Sequence, residues 1–300
     1  MTAADIAAAL GHARREGRDW RADCPVHGGH SLTIADGRDG KLLVKCFGGC
    51  EWPEIFGKFR ALGLIEERPV DINPEGEDEL RRRREAEAKA EIERFRRRIA
   101  AARDLYRRGV PAAGTLAEAY LRSRKISEPI PAILCCLRHC PHRNGLYYPA
   151  MIAPIVNVVG EQIAVHKTFL RADGRGKADL PKTEQRETCG PMKGGAVRLA
   201  LHRADVELLI GEGIESVLSA MELFDLPGWA VLCANGIASL DLPADIRRVV
   251  IAADNDENGV GQRAALSAQE RWMAEDRSVR IILPPNEGDD FNDVLLSQGL

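Results

Sequence analysis

Residues 247–261 read RRVVIAADNDENGVG. Val249, Val250, Ile251, Ala252 and Ala253 form an unbroken apolar run, which predicts a buried strand over Arg247–Ala253. The run stops at Asp254 and Asp256, one residue apart, and a Gly-rich turn and a helical stretch follow. In open α/β sheets, sites form where strands end and loops begin. Two carboxylates at such a point repel each other unless a cation neutralises them. Oxygen-only donors of that charge suit Mg²⁺ or Mn²⁺.

The flanking sequence repeats the pattern. Val206–Ile210 reads as a strand that ends at Gly211-Glu212-Gly213, just ahead of a helix over Ser216–Phe224. Val279–Leu283 reads as another, running into Asn286-Glu287-Gly288-Asp289-Asp290-Phe291-Asn292-Asp293. A polar loop accounts for any one of these motifs, but three successive strands that each deliver acids at their C-terminal ends point to one site. The Gly-x-Gly at 211–213 is a poor dinucleotide cradle, because it lacks a third glycine and Glu212 would repel a pyrophosphate.

The order of glutamate, Asp-x-Asp and a final acidic turn, over about Glu207 to Leu296, resembles the Toprim domain. The resemblance implies a Rossmann-like fold with a mostly parallel sheet. It implies that Glu212 is the acid/base residue and that Asp254 and Asp256 hold the divalent metal together with Glu212, with Asp290 in support. Two positions depart from the pattern. Ser216 stands where primases often carry an aspartate, with Glu215 beside it as a substitute. Asn292 stands where the last motif usually has its second acid, and Asp293 follows it.

Bulk properties are those of a globular chain: 300 residues, 45% hydrophobic, 29% charged, net charge −3. Overall charge therefore does not announce nucleic acid, and basicity has to be read segment by segment. The absence of an apolar run of membrane-span length and of a secretory signal predicts a cytoplasmic protein. In that compartment the eight cysteines favour metal ligation or buried thiols over disulfides.

Near the start, Cys24-Pro-Val-His27 and Cys46-Phe-Gly-Gly-Cys50 are separated by eighteen residues. A Cys-x2-His pair and a Cys-x3-Cys pair supply four donors for one closed tetrahedral Zn²⁺. Ser31–Ile34 and Lys41–Lys45 read as short strands around Asp36-Gly37 and Asp39-Gly40, so the segment reads as a ribbon with two knuckles. His30 competes for the histidine place, and the knuckle spacing favours His27. The spacing resembles the CHC2-type zinc ribbon that precedes the catalytic domain of bacterial and phage primases, in which the second knuckle is more often Cys-x2-Cys.

Between ribbon and acidic motifs lie a linker over Arg68–Gly76 and a Gly- and Pro-free helix over Glu77–Arg108. Ile92, Phe95, Ile99, Ala102 and Tyr106 fall on one face of that helix. Its arginines at 81–84 and 96–98 are interleaved with glutamates, which favours an amphipathic spacer over a phosphate-binding face. Ala117–Arg124 reads as a short helix, and Tyr147–Val159 and Glu161–Leu170 as strands. Residues 167–198 hold the basic stretch nearest the acidic motifs, including Lys167, Arg175, Lys177, Arg186 and Lys193. Lys193 sits beside Gly194-Gly195, where backbone and ammonium can both approach a phosphate. Cys135, Cys136, His139, Cys140 and His142 are too close in sequence to converge easily on one metal.

The segments YLRSR, GLYYPAMIAPI, HKTFL and PMKGG resemble the domain that precedes Toprim in primase-like proteins of phages and mobile elements. The resemblance thus spans nearly the whole chain. It implies four parts: a CHC2-like zinc ribbon over 1–67, a charged helical linker over 68–110, a mixed α/β basic subdomain over 111–203 and Toprim over 204–300. It implies a DNA primase that makes short RNA primers on a single-stranded DNA template from nucleoside triphosphates, with structural Zn²⁺ and catalytic Mg²⁺ or Mn²⁺. Lys167, Arg175, Lys177 and Lys193 would then contact template or nucleotide, and Phe47 or Trp52 would stack on a base. Since the chain has no Gly-x4-Gly-Lys-Ser/Thr motif, a replicative helicase or loader is the expected partner. Two alternatives stay open: a Toprim-type metal-dependent nuclease, and a non-catalytic primase-derived DNA-binding protein.

Overall fold

The computed structural model describes residues 1–37, 41–65, 74–203, 205–257 and 259–298, with backbone alone for 74–80. The turn expected at Asp39-Gly40, linker residues 68–73 and the boundary residue Ala204 lie outside the described residues. The chain divides into two compact units, Met1–Arg84 and Glu85–Leu300.

The first unit opens with α1 (Ala3–Leu10), which starts at Thr2 because Thr2 and Asp5 form a reciprocal capping box. Strands β1 (Arg14–Glu16), β2 (Asp19–Ala22), β3 (Leu32–Asp36) and β4 (Leu42–Cys46) form an antiparallel sheet in that order. Helix α2 (Trp52–Ala61) follows, with Pro53 in its first turn, where no backbone N–H is needed. Ile6, Leu32, Ile34, Ile55 and Phe59 make a small core that also buries Cys24. The ribbon strands expected from sequence are β3 and β4, whereas α1, β1 and β2 were not anticipated.

Helix α3 (Pro74–Arg107) is longer than the expected helix because Pro74, read as part of the linker, opens it. Its apolar stripe is only partly used. Ile92 and Phe95 stay exposed, and packing begins at Ile99 and continues through Ala102 and Leu105. Tyr106 donates its hydroxyl to the Ile133 carbonyl at 2.8 Å.

That packing is against a five-stranded antiparallel sheet. It comprises β5 (Val110–Pro111), β6 (Cys135–Pro141), β7 (Tyr147–Val156), β8 (Gln162–Phe169) and β9 (Arg186–Cys189), with α4 (Leu116–Ser123) between β5 and β6. One face meets Ala102 and Leu105 through Ala150, Ile152, Val165 and Phe169. The opposite face, with Met151, Ala153 and Ala164, joins α4 and the C-terminal sheet in one core. Coverage on both faces explains why β7 reads as a continuous apolar run, and β8 under the same cover also buries His166, Lys167 and Thr168. β7 stops at Val156, short of the expected Val159, because Asn157 opens a hairpin closed by its N–H to the Glu161 carbonyl at 2.9 Å.

The last sheet contains β10 (Val197–Arg198), β11 (Leu208–Gly211), β12 (Gly228–Ala230), β13 (Arg248–Ala252) and β14 (Ser278–Ile282) in the order β10-β12-β11-β13-β14. Only the edge strand β10 is antiparallel. The connecting helices are α5 (Ile214–Phe224), α6 (Ala234–Ser239) and α7 (Val260–Ala274), and α8 (Phe291–Ser297) follows β14. Leu208, Ile210, Val249 and Ile251 face a core with Trp272 of α7, while Leu209 and Ala252 face the core shared with α4 and α5. The α/β class with a mostly parallel, Rossmann-like sheet is as expected. Among the described residues no helix is long and apolar enough to cross a membrane.

Candidate functional site

Strand β11 lies between β12 and β13, so the chain leaves β11 on one side and, after β12, returns on the other. This reversal opens a crevice at the C-terminal ends of β11 and β13. Gly211 pairs in register with Ala252, which sets Glu212 and Asp254 just beyond the two strand ends. The loops are tied together by Asn255, the middle residue of the Asp-x-Asp motif. Its Nδ2 donates to the carbonyls of Pro284 and Asn286, at 3.1 and 3.0 Å, and its N–H to that of Asp289. The third acidic loop is thereby held against the second.

Burial pushes Glu212 up to about 7, helped by the negative charges of Asp254 and Asp256. Burial likewise pushes Asp254 up to about 6, with Asp290 and Asp256 adding to it, and burial raises Asp290. Glu212 Oε1 is buried without a hydrogen-bond partner. An orphaned carboxylate oxygen among mutually repelling acids fits a hard divalent cation. The fit is looser than a finished cage: among the described residues, no three of these carboxylates bring ligand oxygens within 4.8 Å of one another. A Cβ on Gly261, near the start of α7, would sit 3.2 Å from the Asp254 carbonyl and 3.3 Å from Glu212 Oε1, so glycine relieves crowding beside these two acids.

Several motif residues hold the scaffold. Asp290 caps α8, accepting from the N–H groups of Asn292 and Asp293 at 2.7 and 3.0 Å. Asn292 is fully buried and donates Nδ2 to the Arg124 carbonyl and Ser219 Oγ, at 2.8 and 2.9 Å, tying α8 to α5 and the end of α4. Ser216 Oγ lies 3.5 Å from Asp254 Oδ1 and accepts from the Phe291 N–H. Glu215 does not take the aspartate's place. It is buried, accepts from the Tyr120 hydroxyl and pairs with Lys177 at 3.0 Å. Burial would raise its carboxyl, but Lys177 and Tyr120 outweigh that and hold it at about 2.

The basic stretch divides in the same way. Lys167 is buried and paired with Glu187 at 2.6 Å, so its charge is matched inside the sheet. Arg175 and Lys193 are exposed. Arg186, on the unanticipated strand β9, was not singled out by sequence, yet its charge counters the rise at both Glu212 and Asp254. With Lys182, His166 and Thr188 it lines a cavity of about 260 Å³, which reaches Leu232, whose N–H bonds the Glu212 carbonyl. Burial drops His166 to about 4, which keeps its ring neutral. No signal in the sequence distinguished Arg186 from the other cations. Cys135, Cys136, His139 and Cys140 are spread along β6, and His142 lies 3.3 Å from Glu187.

These placements change what Lys177 is expected to do. Lys177→Met leaves Glu215 buried and unpaired, so unfolding in denaturant should show a loss of about 3–5 kcal/mol. Adding Glu215→Gln should recover much of it. A Lys177→Met protein as stable as the parent would remove the pair from the scaffold.

In the first unit, ligand atoms of Cys24, His27, Cys46 and Cys50 all lie within 4.8 Å of one another. Three sulfurs and an imidazole suit closed tetrahedral Zn²⁺. Ser31 Oγ contacts His27 Nε2 at 3.0 Å, turning Nδ1 toward the sulfurs, 3.1 Å from Cys50 Sγ. Burial pushes Cys46 up, but the Cys50 N–H, the Ser31 hydroxyl and the Gly48 N–H more than offset it, and the thiol falls to about 7. Burial and the neighbouring Cys24 and Cys46 drive Cys50 up to about 12. The longer second knuckle is accommodated by glycine: a Cβ on Gly48 would come within 2.7 Å of the His27 ring, and Gly49 has φ +85°. Beside it Phe47 is 60% exposed under the Arg21 and Lys45 cations, and Trp52 is 63% exposed.

Residues 207–300 match the Toprim domain family, and residues 96–199 match a domain of unknown function (DUF7146). No protein of curated function matches the chain. Among solved structures, the chain is similar to the zinc-binding and RNA polymerase domains of the Aquifex aeolicus primase, with 15% identity, 100% of this chain and 80% of that one covered, and a TM-score of 0.44. It is similar to a DnaG primase catalytic domain bound to single-stranded DNA, with 16% identity, 71% and 79% covered, and a TM-score of 0.42. It is also similar to the primase fragment of the bacteriophage T7 primase-helicase, with 15% identity, 64% and 69% covered, and a TM-score of 0.39.

Proposed function

We propose that this chain, whose C-terminal part is a Toprim domain and whose N-terminal unit carries a Cys3His ligand set, is a primase-type nucleotidyltransferase. It joins nucleoside triphosphates into short RNA primers on single-stranded DNA. Ribbon (1–67), charged helix (68–110), basic subdomain (111–203) and Toprim (204–300) are its working parts. The observation that carries the reading is the crevice between β11 and β13, where the charges of Asp254 and Asp256 act on Glu212, those of Asp290 and Asp256 act on Asp254, and Arg186, which lines a cavity with Lys182, acts on both Glu212 and Asp254.

In this reading Glu212, Asp254 and Asp256 hold Mg²⁺ or Mn²⁺, with Asp290 in support. That ion supplies charge neutralisation of phosphate oxygens and alignment for in-line attack. Glu212, whose Oε1 has no hydrogen-bond partner in the protein, would take a proton from the primer hydroxyl. Arg186 and Lys182 bind triphosphate oxygens, and neutral His166 closes the cavity wall. Exposed Arg175 and Lys193 contact the template backbone. Zn²⁺ held by Cys24, His27, Cys46 and Cys50 fixes the ribbon, which presents Phe47 and Trp52 to bases. A replicative helicase or loader delivers the template.

The test is primer synthesis on defined single-stranded templates with labelled ribonucleotides and Mg²⁺ or Mn²⁺. Template-dependent short products are expected. Cleavage of the template without synthesis would replace this reading with a nuclease. Binding with neither activity would replace it with a non-catalytic DNA-binding protein.

A further inference from the structure

The first unit contains a second group of ligating side chains, outside the Cys3His set. His12 follows α1, Asp23 follows β2, and His30 lies in the turn before β3. One oxygen of Asp23 is 2.8 Å from His12 Nδ1, and the other contacts His30 Nδ1. The ligand atoms of all three lie within 4.8 Å of one another. The two imidazole rings are 4.3 Å apart between centroids. His30, a sequence candidate for the ribbon's histidine, is thus committed elsewhere.

We propose that His12, Asp23 and His30 form a second metal site for a borderline divalent ion, Zn²⁺ foremost, with its remaining coordination open to water. Two imidazoles and one carboxylate are a donor set for Zn²⁺ and neighbouring transition ions, and too rich in nitrogen for Mg²⁺ or Ca²⁺. Donors at about 2.0–2.1 Å from a tetrahedral ion stand roughly 3.3 Å apart. The three ligand atoms already lie within 4.8 Å of one another, so side-chain adjustment alone can bring them to that spacing.

The surrounding backbone is arranged for this contact. His12 has φ +47°, in the left-handed region that residues with a Cβ adopt at a cost, directly after Gly11 at φ +95°. The Asp23 N–H bonds the Gly11 carbonyl at 3.2 Å, which pins that turn to the end of β2. On the other side, the Cys24 N–H bonds the Gly29 carbonyl at 2.8 Å, which fixes the loop that carries His30. His12 and His30 side chains are 71% and 65% exposed and Asp23 only 22%, so an ion can enter from solvent onto a carboxylate held in place.

The experiment uses the full chain with its tightly bound zinc already in place. Co²⁺ is titrated into it and followed by calorimetry and visible absorption. One further equivalent is expected to bind, with weak d–d bands and no sulfur-to-cobalt charge-transfer band. His12→Gln and His30→Gln, each at an exposed position, should weaken that equivalent more than about 100-fold, since loss of an outer-sphere partner alone typically costs 10–100-fold. Zinc retained after dialysis should be unchanged in both variants. The proposal is overturned if the parent protein takes up no further equivalent, if that equivalent survives in either variant, or if a thiolate band shows that cobalt has entered the Cys3His set.

Discussion

Asp254→Asn is expected to lower primer synthesis on the order of 10²–10³-fold, or ~3–4 kcal/mol of transition-state stabilisation, while single-strand binding stays close to that of the parent. Asp254 lies at the crevice end of β13, with Ser216 as its hydrogen-bond partner and Asp290 and Asp256 as the charges that act on it. Removing its charge takes a hard anionic donor from the proposed cation site and leaves exposed Arg175 and Lys193 untouched. Folding should survive, and its pH dependence gives an independent check. Asp254 and Glu212 are both held above their ordinary values of 3.8 and 4.5, at about 6 and about 7. The folded protein therefore prefers their protonated forms. Their contribution to stability is fully present below about pH 4 and is lost as pH rises through about 6 and 7. In buffer without added Mg²⁺ or Mn²⁺, the parent protein should lose unfolding temperature across that window, and Asp254→Asn should lose less. Wild-type synthesis by the variant would defeat the proposed role of Asp254. An equal pH slope in both proteins would remove the carboxylate repulsion.

What the sequence made legible follows from how each element is buried. Strands β11 and β13 are covered on both faces, so they carry unbroken apolar runs, and each run ends where the acids begin. The ribbon donors were legible because Cys and His at knuckle spacing have few other uses. Elements that depend on partners left little trace. Strand β9, Arg-Glu-Thr-Cys, is a strand because β8 offers it a ladder, and β12 has only three residues. Arg186 looked like any other cation of the basic stretch until β9 placed it beside the acids. Periodicity overstated α3: Ile92 and Phe95 share the stripe with Ala102 but stay about half exposed, Phe95 only edging a cavity beside Ile163 and Pro191. The pairing of Lys177 with Glu215 joins residues thirty-eight positions apart in sequence, and nothing local in either segment announces it. Asp290 and Asn292 were read as site acids or their replacements. The structure gives them helix capping and interhelix hydrogen bonds, although Asp290 still acts on Asp254 through its charge.

The first unit should depend on its zinc for folding, and Cys46→Ser should expose that dependence. Its buried core is small, with Ile6, Leu32, Ile34, Ile55 and Phe59 as the large members, and Cys24 is part of it. Segments with so little apolar surface fold marginally without a cross-link or metal. Structural Zn²⁺ in comparable small modules contributes roughly 10–16 kcal/mol, which would exceed what this core can supply. Ser31 Oγ and the Gly48 N–H are directed at the Cys46 sulfur, at 3.6 and 3.3 Å, so this donor is held in place by hydrogen bonds. A serine there keeps the approximate shape and removes the soft anionic ligand. The variant should lose the zinc equivalent that survives dialysis. Amide protection should fall at Leu32–Asp36 and Leu42–Cys46 and persist at Leu208–Gly211 and Arg248–Ala252, since the second unit has cores of its own. Chelation of the parent protein should reproduce the same split. Full zinc content in Cys46→Ser would remove Cys46 from the ligand set, and undiminished protection of β3 and β4 after zinc removal would mean that the ribbon stands on its apolar core alone.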